Sequence, residues 1–185
     1  LGPPFKASRL QVGPPLATSA QAQAQARRRR RAPGERMAQS FSRRLQKELE
    51  AFRERSTDDG IQLEEASDTG WLIAITGAPG TLYAGERFSL RFSFPPRYPL
   101  ESPEVVFVGE PPVHPHIYSN GHICLSILYD AWSPALKVEA VCVSIVSMLS
   151  SCGEKVRPQD NDSYVSRAGH RSPKLSKWHY DDDSV

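Results

Sequence analysis

Arg87-Phe88-Ser89-Leu90-Arg91-Phe92-Ser93-Phe94 alternates strictly between large apolar and polar residues. A period of two puts Phe88, Leu90, Phe92 and Phe94 on one face and Arg87, Ser89, Arg91 and Ser93 on the other. That is the pattern of a half-buried strand in an antiparallel sheet. Pro95-Pro96 ends it, because proline has no N–H to give to a ladder. Upstream, Trp71, Ile73 and Ile75 alternate with Leu72, Ala74 and Thr76 before the turn Gly77-Ala78-Pro79-Gly80. Downstream, Val105 to Val108 is short and β-branched and reads as a further strand. The glycine-rich turn lacks the Gly-Lys-Ser/Thr that would open a helix, so it is not a phosphate loop.

Helical patterns flank these strands. Residues 40–53, SFSRRLQKELEAFR, carry Phe41, Leu45, Leu49 and Phe52 at helical spacing, with Ser40 as the predicted N-cap. Arg43, Arg44 and Lys47 fall on the opposite face, which is either solvated or a docking surface. Residues 138–151, VEAVCVSIVSMLSS, predict a buried helix with Val138, Val141, Ile145, Met148 and Leu149 on one face. Cys142 reads there as a small core residue, and Cys152, just past the helix, as incidental. The order of helix, short strands, irregular segment and helix is that of an α+β fold. The polar tail from about residue 157 ends KWHYDDDSV and is read as irregular. Its Trp178, His179 and Tyr180 either meet an incoming peptide or dock on the core.

The chain of 185 residues, 39% hydrophobic, suffices for one domain with a real core and excludes wholesale disorder. No apolar run approaches the roughly 18 residues of a membrane span, so a soluble protein is expected. Three cysteines cannot all pair and form no CxxC ribbon, which suits a reducing compartment. The net charge of +2, from 23 Lys+Arg and 21 Asp+Glu, is unevenly spread. Residues 1–36 hold eight basic groups against Glu35, leaving 15 basic and 20 acidic groups in residues 37–185. The basic stretch, rich in Pro, Ala and Gln with arginines at 27–31, is expected to be disordered. Three readings compete for it: a transit-type address, a nuclear-import or nucleic-acid patch, and sequence upstream of a start at Met37.

Residues 109–136 are irregular, with four prolines, three histidines, one cysteine and one tryptophan. A long irregular stretch inside a domain is usually functional. Within it His114-Pro115-His116 precedes Cys124 in ICLSIL, followed by Trp132-Ser133-Pro134-Ala135-Leu136. With GTLYAGERF and FPPRYPLESPEVVF further upstream, this ordered set resembles the ubiquitin-conjugating enzyme family over about residues 40–152. His116 stands where that family usually has Asn, and Ser126 where it often has an acidic residue. These departures, with the K-x-x-K-W-x-Y-x-D-D tail, are similar to the branch that modifies protein N-termini instead of lysines.

The resemblance implies the ubiquitin-conjugating fold: an N-terminal helix, a four-stranded antiparallel meander, an extended active-site segment and a central helix. It implies that Cys124 accepts ubiquitin as a thioester, with His116 in the catalytic role of the missing Asn, either donating to the oxyanion or bracing the loop. His114, Pro115, Ser126 and Asp160 would support the site, His114 mainly by packing. Leu100, Ser133, Pro134 and Ala135, with the first helix, would form the ligase-binding surface. Trp132 reads as a packing anchor. His122, two positions before Cys124, is read either as a group lowering the thiol pKa or as exposed.

Ubiquitin, its activating enzyme, RING or U-box ligases and substrates with flexible N-termini are the implied partners; no membrane or nucleic acid is expected. No cofactor is expected, since ATP and magnesium belong to the activating enzyme. Cytoplasm and nucleus both suit the body of the chain. The competing readings are lysine-directed conjugation, an inactive scaffold of the same fold, a Cys-His hydrolase and a metal site from His114, His116, His122 and Cys124.

Overall fold

The computed structural model describes residues 33–54 and 59–180, with side chains of the first helix described from Arg43. The chain divides into Leu1–Arg36 and Met37–Val185, and the readings made for residues 1–32 lie outside the described residues. Helix α1 runs Pro33–Glu54, followed by strands β1 Ile61–Ala66, β2 Gly70–Thr76, β3 Arg87–Ser93 and β4 Glu104–Val108. Helices α2 Val138–Ser150 and α3 Asn161–Ala168 follow, with single 3-10 turns at Ser126–Leu128 and Pro173–Leu175. The four strands form one antiparallel meander in the order β1-β2-β3-β4.

The period-two reading of β3 sets the register. Trp71 pairs with Phe92, Ile73 with Leu90 and Ile75 with Phe88, while Leu90 and Phe92 pair onward with Phe107 and Val105. The apolar rows therefore lie side by side on one face. That face packs in a single core with Leu45 and Phe52 of α1 and with Val138, Val141, Cys142, Ile145 and Leu149 of α2. Phe52, Trp71, Phe94 and Tyr98 form a chain of edge-to-face rings 5.0–5.8 Å apart. Cys142 is fully buried there. Met148, expected on the buried face, is only partly covered.

Two expectations need correction, and one strand carried no sequence signal of its own. Helix α1 begins at Pro33, so Ser40 lies inside it and is not its N-cap; proline at a first helical position has no N–H to leave unsatisfied. Strand β1 carried little alternation, only Ile61 and Leu63 being apolar, and its register shifts between Leu63 and Glu65. It is held by β2 and by Arg87, whose guanidinium reaches Gln62 (2.9 Å) and Glu64 (2.8 Å). The tail is not wholly irregular: α3 forms from polar sequence that buries only Tyr164. Tertiary bonds hold it instead, Ser119 N–H donating to Asn161 Oδ1 (2.9 Å) and Tyr118 O–H to Asp160 Oδ1 (2.9 Å).

Candidate active site

The stretch before Cys124 folds into a small hairpin-like loop. Ile117 bridges to Ile123, Tyr118 N–H donates to His122 O (2.9 Å), and Cys124 N–H donates to His116 O (2.8 Å). Ile117 and Ile123 are fully buried, so the two inward residues anchor the loop in the core. The turn Ser119-Asn120-Gly121 needs its glycine. Gly121 has φ +86° and its ideal Cβ would lie 2.2 Å from Phe107 O. Its carbonyl accepts the N–H of Phe107 (2.9 Å), which ties the loop to β4. Cys124 emerges from this loop half-buried, its Sγ 3.5 Å from the carbonyl oxygen of His179.

The histidines separate into distinct roles. His114 is 3% exposed; its Nδ1 accepts the N–H of His116 (2.9 Å) and its Nε2 lies 3.2 Å from Met148 O. Only the neutral Nε2–H tautomer satisfies both bonds. Burial pushes its pKa down to about 4 despite the Met148 bond. His116 is half-buried, with its ring centroid 5.5 Å from that of His114. His122 is not exposed: it is buried, and Nδ1 lies 2.8 Å from Tyr164 Oη. Desolvation lowers its pKa. With His122 bonded to Tyr164, a hydrolase reading is left with one of its two candidate bases, His116. Among the described residues, no three His, Cys, Asp or Glu side chains converge as metal donors.

Pro115 is exposed, and Ser126 opens the 3-10 turn, its carbonyl accepting the N–H groups of Tyr129 and Ala131. Asp160 sits just before α3, its carboxylate bonded to Tyr118. Desolvation first, then Asp160, raises the Tyr118 pKa, so the phenol stays protonated and donating. Two features escaped the sequence. Arg157 bonds Pro111 O (2.9 Å), Pro112 O (2.6 Å) and Ile117 O (3.1 Å), clamping the proline-rich approach to the loop. Tyr118, Tyr129 and Tyr164 gather around Trp178, at 5.8, 5.1 and 5.3 Å between ring centroids. The tail is therefore docked on the core. Cys152 is less incidental than expected, since its Sγ lies 3.3 Å from the Tyr83 hydroxyl, which also donates to Val113 O (2.5 Å).

The expected ligase-facing residues lie at the surface. Leu100 is 61% exposed, and Ser133, Pro134 and Ala135 are exposed. The two loops are joined by Trp132, whose Nε1–H donates to Pro99 O (2.9 Å) and whose ring tilts against Tyr98. Helix α1 joins them through Arg44, which donates to Leu136 O (2.8 Å).

A family model described as "Ubiquitin-conjugating enzyme" matches residues 44–179, spanning the loop, Cys124 and the docked tail alike. The chain belongs to the ubiquitin-conjugating enzyme family. It is similar to a probable ubiquitin-conjugating enzyme E2 W of Dictyostelium discoideum, 53% identical over 154 residues, 80% of this chain and all of that protein. It is likewise similar to the ubiquitin-conjugating enzyme E2 W of Caenorhabditis elegans, at 51% identity with the same coverage. Among solved structures, the ubiquitin-conjugating enzyme E2 UbcA1 of Agrocybe aegerita superposes with TM-score 0.68 at 50% identity. That match covers 71% of this chain and 96% of the other. The chain is thus a transferase of the E2 class most like the W-type, with the ubiquitin-conjugating fold. Membership implies ubiquitin, an activating enzyme and ligases as partners. Among the described residues, no helix is long and apolar enough to cross a membrane.

Proposed function

We propose that Cys124 carries ubiquitin as a thioester and passes it, with a ligase, to the N-terminal α-amino group of substrate proteins. The Cys124 thiolate attacks the thioester carbonyl presented by the activating enzyme; the new C–S bond forms as the activating enzyme's thiolate leaves. A neutral amine then attacks the Cys124 thioester, the C–N bond forms, Cys124 leaves as thiolate, and the amine proton passes to solvent or a nearby base. The tetrahedral intermediate in each step bears an oxyanion that needs a donor. His116, whose carbonyl already bonds the Cys124 N–H, supplies that donor or stiffens the loop that does. We assign no cofactor to this chain, since ATP and magnesium are used by the activating enzyme.

The observation that carries the α-amine preference is the carboxylate distribution. Position 126 is serine, and the Asp160 carboxylate is engaged by the Tyr118 hydroxyl. An α-amine of pKa ~7.7–8.0 is roughly a quarter neutral near pH 7.4, against about 0.1% for a lysine near 10.4. A site short of carboxylates to take the ammonium proton therefore penalises lysine far more than an α-amine. Flexible N-termini fit best, because they can thread to the thioester. The second reading, lysine-directed transfer, draws on Asp160 as its proton acceptor.

Single-turnover discharge of the loaded enzyme separates the two. A peptide with a free α-amine and no lysine should discharge it at least on the order of tenfold faster than an N-acetylated peptide with one lysine. Equal rates overturn the α-amine reading. Loss of lysine discharge in Asp160→Asn, with α-amine discharge unaffected, would favour the second.

A further inference from the structure

Beyond the active-site loop, the segment Lys177–Tyr180 crosses the nucleophile. The His179 carbonyl oxygen is 3.5 Å from Cys124 Sγ, and an atom in contact with sulfur closes that direction to an incoming acyl group. One side chain does most of the holding. Trp178 is half-buried, while its neighbours Lys177 and His179 are exposed. Its indole fills the slot between Tyr118, Tyr129 and Tyr164, and its Nε1–H donates to Pro173 O (3.1 Å). Tyr180 adds a ring stacked 6.4 Å from that of Tyr129.

The walls of the slot are fixed without help from the indole. Tyr118 donates to Asp160, Tyr129 donates to Ile123 O (2.8 Å), and Tyr164 lies within 2.9 Å of both His122 Nδ1 and Ser176 Oγ. The slot is a pre-formed seat for one aromatic side chain, and the occupant is the chain's own tail. Aromatic pairs at such separations favour the docked state beyond the area they bury. Yet the segment contributes no strand and is held chiefly through Trp178, with the Tyr180 ring on Tyr129 beside it, so it belongs to the weakly held part of the molecule.

We propose that the C-terminal segment is a strap that covers Cys124 in the unloaded enzyme, with Trp178 as its positioning residue and the three tyrosines as its seat. The strap leaves before ubiquitin is loaded, since the ubiquitin carbonyl carbon must bond to the sulfur that His179 now contacts. Which amine is later modified does not enter, so a failed α-amine preference would leave this proposal standing.

Alkylation of unloaded protein by iodoacetamide, resolved cysteine by cysteine by mass spectrometry, reads the strap directly. The full chain is compared with Trp178→Ala, Trp178→Phe and a chain ending at Ser176, with half-buried Cys152 as internal reference. Trp178→Ala and the truncation should raise the Cys124 rate on the order of tenfold while Cys152 is unchanged. Trp178→Phe, which refills the seat, should stay near the parent. Equal Cys124 rates in all four proteins overturn the proposal. So does a parallel rise at Cys152, which would mean general loosening instead of release of a strap.

Discussion

His114 shows how one buried side chain sets the pH range of the molecule. It must stay neutral to accept from His116 and donate to Met148, and burial holds its folded pKa at about 4 against 6.5 for the ordinary group. Between those values the unfolded chain binds more protons than the folded one, so stability rises with pH across the window and is lost as pH falls below 6.5. Between pH 7 and pH 5 this group alone should remove about 2 kcal/mol, read from urea unfolding. His114→Gln should be less stable at pH 7 yet flatten the slope, leaving the part due to His122, whose pKa is lowered in the same sense. Gly121 is the complementary case: φ +86° and the Phe107 carbonyl leave no space for any side chain.

Among the elements, β3 and α2 were legible because each carries its own periodicity: a strand shows period two and a helix 3.6 whatever its neighbours do. Cys124 and His116 stand out through an ordered motif in irregular sequence, and the structure joins them through the Cys124 N–H to His116 O bond. Strand β1 and helix α3 were not legible, since Ile61-Gln62-Leu63-Glu64-Glu65-Ala66 becomes regular only against β2, and Asn161-Asp162-Ser163-Tyr164 only against the distant active-site loop. The burial of His122 was hidden for the same reason, its partner Tyr164 lying in that helix. Arg157 looked like one more charge in a polar tail, yet it holds three carbonyls of the active-site approach. Arg157→Met, which keeps the aliphatic stem, should cost about 2 kcal/mol in thermal unfolding. It should also slow thioester formation on Cys124, measured by non-reducing gel, because residues 111–117 lose their clamp.

At the scale of the whole molecule, buried Glu48 joins parts far apart in the chain. It accepts from Tyr98 O–H (2.7 Å) and from the N–H of Val138 at the start of α2 (2.7 Å), and pairs with Arg44. The carboxylate thus meets the helix N-terminus, where negative charge is favoured, and links α1, the Leu100 loop and α2. Glu48→Gln leaves Arg44 without its charge partner and should destabilise the fold by about 2–4 kcal/mol, seen in chemical denaturation. Hydrogen exchange should quicken together at Leu100 and Leu136, the two loops Glu48 and Arg44 hold.

The sheet has two edges, and they are protected differently. The β1 edge carries Glu64, Glu65 and an irregular register, devices that discourage pairing with another chain. The β4 edge is Val105, Val106 and Phe107, apolar and buried, and its cover is the active-site loop through Phe107 N–H and Gly121 O. Lifting that loop to expose Cys124 would also bare an adhesive strand, an invitation to aggregate. The Cys124 hairpin has to stay put as a guard on the sheet, so access to Cys124 falls to the tail.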